Sequence, residues 1–172
     1  MSGYRCIVAD PPWQFGDKLP GAGRGAEKHY ACMSLAELCL FELPPIADDA
    51  VLFLWRVASM QHEALAVARA WGFNPPTSEI VWCKPQMGMG RTVRNCHEVA
   101  LLCRRGKPVR LDAGVRSHFT APRTKHSEKP DEFFALVERL YGGPRLELFA
   151  RKQRPGWTCL GNELCQEAGE VA

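Results

Sequence analysis

The sequence predicts an α/β fold, a mostly parallel central sheet with helices on both faces. Three observations carry this prediction. Short apolar runs, partly β-branched, recur at 6–9, 50–55, 80–83, 99–103 and 146–149, as expected of strands buried on both sides. Segments with helical spacing and capping signals lie between several of them. The first run closes on Asp10-Pro11-Pro12-Trp13, and an acid at the carboxyl end of a strand stands where open α/β sheets place their ligands.

Taken in order, Cys6-Ile7-Val8-Ala9 reads as a buried strand stopped by the prolines. Residues 16–28 hold Gly21, Gly23 and Gly25 among charges and read as a mobile loop able to close over a ligand. The spacing of these glycines matches neither phosphate-binding nor dinucleotide-binding glycine motifs. Ser34-Leu35-Ala36-Glu37 is a capping box that opens a short helix. Ala50–Trp55 is the second strand. Ser59–Trp71 is a helix with Met60, Leu65, Ala68 and Val67 or Trp71 on one side, and Gly72 stops it. Ile80–Cys83 is the third strand, followed by a loop through Gly88–Arg91, and Val99–Cys103 is the fourth. Pro130, with Asp131 and Glu132, starts a helix whose stripe is Phe133, Leu136, Val137 and Leu140. Leu146–Phe149 is the last strand.

At 172 residues one domain is expected, over 1–165, with 166–172 as a C-terminal tail. No apolar run is long enough to span a membrane. Eight cysteines without a Cys-x-x-Cys pair point to reduced thiols and a cytoplasmic location. The five histidines have no ligand spacing, so no metal is expected. The net charge is +3, but 84–129 carries eleven Lys/Arg against three acids. That basic third is either a phosphate-binding surface or a solvated loop surface.

The chemistry starts at the first motif. Prolines remove backbone donors, so the turn offers mainly acceptors. Asp10 adds a carboxylate and Trp13 a flat apolar face. Rigid acceptors beside an aromatic face suit a planar group bearing an NH2, such as a nucleobase. Alone, Asp-Pro-Pro reads rather as a strand ending in a Pro-rich turn, with Trp13 simply buried; the full tetrapeptide after a strand is much less common by chance.

The tetrapeptide resembles the catalytic motif of the adenine-N6 methyltransferase family that includes the mRNA methyladenosine writer and bacterial and phage relatives. The likeness continues through His29-Tyr30-x-x-Met33-Ser34, Trp82-x-Lys84 and Asn95-x-His97-Glu98. It goes on through His126–Glu132, Glu147–Arg151, Gly156-Trp157 and Gly161-Asn162-Glu163. The resemblance implies a Rossmann-like, S-adenosylmethionine-dependent methyltransferase with circularly permuted motif order, the amine-binding motif preceding the cofactor block. It implies Asp10, Pro11, Pro12 and Trp13 as catalytic residues, and Asp10, Lys129, Arg151, Asn162 and Glu163 as cofactor-binding residues, with Lys129 on the cofactor's carboxylate. It implies Trp13, Tyr30, Lys84, Arg91, Arg94, His97 and Glu98 on the substrate side. Without it, Lys129 merely precedes a helix and Asn162 reads as a turn residue.

Two departures stand out: only nine residues precede Asp10, and the segment from Arg151 to Trp157 is short. Both fit a minimal bacterial or phage form. The expected partner is nucleic acid, DNA ahead of RNA, with a homo- or hetero-oligomer open. The alternatives are the same reaction on RNA, or a catalytically silent nucleic-acid-binding partner. The intact Asp10, Lys129 and Asn162 argue against the silent form.

Overall fold

The structure is a computed structural model and describes residues 3–14, 32–88, 92–123 and 128–165. The strands are β1 (Tyr4–Ala9), β2 (Ile46–Arg56), β3 (Ser78–Cys83), β4 (His97–Arg105), β5 (His118–Thr120), β6 (Arg145–Leu148) and β7 (Thr158–Leu160). The helices are α1 (Leu35–Cys39), α2 (Gln61–Ala70) and α3 (Asp131–Leu140). One seven-stranded sheet has the order β5-β3-β4-β2-β1-β6-β7. β1 pairs parallel with β2 and β6, β6 with β7, and β3 with β5, while β4 runs antiparallel between β2 and β3.

Alternation within the strands builds two cores. Cys6, Val8, Phe53, Trp55, Ile80 and Trp82 face α3, whereas Ile7, Ala9, Leu52, Leu54, Val99 and Leu101 face α1 and α2. Val51 to Leu54 have no exposed surface. Each such side chain is worth about 1.5–3 kcal/mol in transfer from water. Helices therefore cover both faces, as the sequence predicts.

Several details differ. β2 begins at Ile46 rather than Ala50, with Asp48 and Asp49 in an irregularity of its pairing with β1, between the Tyr4–Ile46 and Cys6–Val51 partners. The segment before α2 is a short 3-10 turn, Ala58–Met60. The buried side of α2 is Ala64, Val67 and Ala68, with Leu65 only partly buried. Phe134 joins the buried stripe of α3 while Leu136 is partly buried. Phe149 is not in the last strand. It turns the chain after β6 with φ 59°, a left-handed backbone that is strained for a bulky residue. The three-residue strands β5 and β7 are too short to leave a sequence signal. Gly161 sits so close to the turn that a Cβ there would stand 2.1 Å from the Ala150 carbonyl.

Candidate active site

The topology brings the carboxyl ends of β1, β2, β3 and β6 to one edge of the sheet, with the first residues of the antiparallel β4. β1 is also the switch point: β2 follows on one side and β6 returns on the other. Ligands of open α/β sheets bind in the crevice at such a point. A cavity of about 340 Å³ lies there, lined by the Asp10–Trp13 turn, Trp55, Lys84, His97, Glu98, Lys129 and Arg151, among others. A much smaller one beside it involves Asp10, Lys129, Glu147, Phe149 and Arg151.

Asp10 continues the Cys6, Val8 alternation and so faces the α3 side. There Lys129, two residues ahead of α3, donates from Nζ to Asp10 Oδ2 at 2.6 Å. The same ammonium lies 3.3 Å from Glu98 Oε2, and Glu98 Oε1 accepts from Lys84 Nζ. Lys84 in turn lies 4.3 Å from the centre of the Trp82 ring, and Lys129 lies 5.1 Å from that of Trp55. Four alternating charges thus floor the cavity. Burial pushes the Lys129 ammonium down, but Asp10 and Glu98 more than reverse this, and the net direction is up. Burial pushes Glu98 up, and Lys129 and Lys84 outweigh it, holding the carboxyl below its usual range. Both directions keep the ion network charged.

The turn itself is fixed by its backbone. Trp13 N–H donates to the Pro11 carbonyl at 2.9 Å, and Met33 N–H to the Pro12 carbonyl at 2.8 Å. Trp13 is 5% exposed and belongs to the α1/α2 core, with its indole donating to the Trp55 carbonyl at 3.1 Å. It is a wall of the cavity anchored from behind.

Of the residues singled out in the sequence, Asp10, Pro11, Pro12, Trp13, Lys84, His97, Glu98, Lys129 and Arg151 come together here. Asn162 is exposed at the start of the last 3-10 turn and lines neither cavity. The Glu163 side chain, Tyr30, Arg91 and the 16–28 loop lie outside the described residues, as do His126 and Ser127. Arg94 is exposed, away from the cavity lining.

Among the described residues, the basic third is divided between two places. Lys84 and Arg123 line this cavity, whereas Arg104, Arg110 and Arg116 line another, of about 470 Å³, toward the opposite end of the sheet. β4 crosses the sheet and carries the chain from one end to the other.

Sequence reasoning assigned no individual site role to Glu147, Asn95 or Arg123, although the first two stand in family-like motifs and the third in the basic stretch. Glu147 is the one polar residue between two buried leucines in β6. Burial raises its carboxyl to about 7 even though Arg154 lies 3.6 Å away and opposes the shift. An acid inside so short an apolar strand was the available signal. Among the described residues, no group of His, Cys, Asp or Glu is placed to hold a metal, and no helix is long and apolar enough to cross a membrane.

A Rossmann-like sheet with an Asp-Pro-Pro-Trp turn at its crevice, ahead of the β6–β7 block in the chain, defines an amino-methyltransferase. The family model MT-A70 matches residues 4–163, and the chain belongs to that family. The type II methyltransferase M.MunI of a Mycoplasma species is 31% identical over 98% of this chain and 81% of its own length. The human N(6)-adenosine-methyltransferase catalytic subunit METTL3 is 30% identical over 94% of this chain and 28% of its own length. The Drosophila melanogaster N(6)-adenosine-methyltransferase MT-A70-like protein is 30% identical over 94% and 27%. The chain therefore spans most of the first relative and only about a quarter of the other two. Membership makes it an S-adenosylmethionine-dependent methyltransferase of the N6-adenine type.

Proposed function

We propose that this chain methylates the N6 amine of adenine in DNA, with Asp10 as the group that activates the amine. The carrying observation is the Asp10 carboxylate, fixed through Oδ2 by the buried Lys129 at 2.6 Å and lining an open cavity. DNA is preferred because the chain spans 81% of a type II methyltransferase, against about a quarter of the adenosine methyltransferases. RNA is the second reading, supported by the adenosine methyltransferases at similar identity.

The residues fit the cofactor. A carboxylate, a ribose diol and a sulfonium ask for cations, an acceptor and a nearby anion. Lys129 and Arg151 are the cations, Glu147 the acceptor for hydroxyls and Asp10 the anion, all around the smaller cavity. S-adenosylmethionine, when bound, supplies a methyl group on its sulfonium. Asn162 and Glu163, on the turn after β7, complete the proposed set.

An aromatic amine is a weak nucleophile because its lone pair is delocalised into the ring. Lys129 holds Asp10 Oδ2 and leaves Oδ1 to accept one amine hydrogen. The Pro11 carbonyl, already accepting from Trp13 N–H, has a second lone pair for the other. Both acceptors draw the lone pair out of the ring and stabilise positive charge as the nitrogen acquires it, with no reorganisation at the moment of reaction. Trp13 walls the base, and the role proposed for Tyr30, supported by the likeness of its motif to the family's, is to wall it as well. His97 borders the cavity, Lys84 holds Glu98 in its floor, and Arg91 and Arg94 serve the phosphates. The free cysteines of the described residues suit a reducing cytoplasm.

The test is methyl transfer from labelled S-adenosylmethionine to single-stranded DNA, duplex DNA and RNA, by wild type and Asp10→Ala. Digestion should yield N6-methyladenine from the wild type alone. Normal cofactor binding with no methylated nucleoside from any substrate would overturn the reading in favour of the silent partner.

A further inference from the structure

The segment between β3 and β4 leaves the sheet beside the cavity and returns to it. Lys84 N–H donates to the Cys96 carbonyl at 2.7 Å and Gly88 N–H to the Asn95 carbonyl at 2.7 Å, so its two limbs are tied together like a hairpin. A Cβ on Gly88 would lie 2.5 Å from the Asn95 carbonyl and 2.8 Å from Arg123 Nη2. The described parts of the limbs and the Arg123 guanidinium are thus close-packed beside the cavity. Gly88, Asn95 and Arg123 line the cavity.

On opposite limbs, Met87 precedes Gly88 and Val93 lies two residues before Asn95, and they are 75% and 68% exposed. Neither lines the cavity. Arg94 follows Val93 in the chain and Arg123 packs by Gly88, both exposed, so this rim combines cations with large apolar side chains. A rim that only held phosphates would gain nothing from exposed Met and Val.

The floor sets the requirement. Asp10 is only 21% exposed, so an adenine reaches it by leaving its stack, and this opens a flat apolar gap in a duplex. Proteins that distort duplexes fill such gaps with apolar wedges, methionine among them. Met is unbranched and adapts to irregular gaps. We infer that Met87, with Val93 on the opposite limb, enters the duplex stack in place of the extruded adenine while Arg94 and Arg123 hold the flanking phosphates. The inference rests on the reading of the chain as an adenine methyltransferase and adds to it that duplex DNA is the substrate these side chains serve.

The test compares wild type, Met87→Ala/Val93→Ala and Met87→Leu on long heterogeneous duplex DNA and on the same DNA heat-denatured, with N6-methyladenine counted after digestion. Unstacking a base costs a few kcal/mol, so the double variant should lose about tenfold in kcat/KM on the duplex. It should stay within about twofold of wild type on denatured DNA, where there is no stack to open. Met87→Leu should keep most of the duplex activity. Equal loss on both substrates, or no loss on the duplex, overturns the wedge. A wild type that methylates denatured DNA but not duplex overturns the wedge and leaves the methyltransferase reading standing. A wild type that methylates neither these nor RNA fells both.

Discussion

The floor and the rim of the cavity are built on opposite principles. The floor is four alternating charges, Asp10, Lys129, Glu98 and Lys84, in contact with one another and backed by Trp55 and Trp82. Each group is fixed by the next, so the acceptor for the amine needs no rearrangement to act. The rim carries exposed groups: Met87, Val93, Arg94 and Arg123. Chemistry demands preorganisation, which only buried, mutually paired groups supply. Recognition of a long polyanion demands reach and screening-sensitive attraction, which exposed groups supply. Floor variants should therefore alter kcat, and rim variants KM and salt dependence.

The sharpest break comes at the floor. Asp10→Asn keeps the shape but presents a weaker acceptor and an unwanted donor. It should lower kcat by about 10²–10³-fold, the range seen when one preorganised electrostatic partner is lost. Single-turnover transfer under saturating cofactor checks this, and a change in KM alone would blur the distinction between floor and rim. Next is Lys129→Met, which leaves Asp10 without its cation and Glu98 with Lys84 alone. Removing one partner of a buried pair costs about 3 kcal/mol, less here because both acids keep some contact with water. Melting temperature and kcat should fall together. Loss of activity with unchanged melting would mean that Lys129 serves the cofactor alone. On the rim, Arg123→Ala should raise KM several-fold and reduce the slope of log affinity against log salt by about one, with kcat nearly unchanged.

The floor was legible in the sequence because each of its residues follows a strand end or precedes a helix inside a recognisable motif. Asp10 closes an apolar run, Lys84 follows Ile80–Cys83, Glu98 opens β4, and Lys129 stands before Pro130. The rim was less legible. Met87 and Val93 lie in a segment with no periodicity, and an apolar residue in a loop gives no sign of whether it is buried. The basic third stayed open between two readings for a related reason. Charge counted along the chain does not reveal that β4 transports its arginines to the far end of the sheet. The antiparallel β4 itself had one sign, the lack of a helical pattern between 83 and 97, since parallel neighbours need a longer crossover. Glu147 was ambiguous, because an acid in a short strand is equally an outward-facing residue on a half-exposed sheet.

Glu147 offers the smallest effect and the finest test of the floor. Its carboxyl rises from 4.5 to about 7, chiefly by burial. Between those values the folded protein holds a proton that the unfolded chain has released. The slope of stability against pH is then negative: the contribution is complete below 4.5 and is lost as pH rises through about 7. Glu147→Gln removes a titrating group, so wild type minus variant stability should decline across that window in chemical denaturation. The same proton competes with ligand. Ribose hydroxyls are donors, and an ionised carboxylate accepts from both, so cofactor affinity should rise with pH through about 7 in wild type and be flatter in Glu147→Gln. Parallel affinity profiles for the two proteins would mean that Glu147 serves Arg154 and the packing of β6, and the cofactor side of the floor would then rest on Lys129 and Arg151.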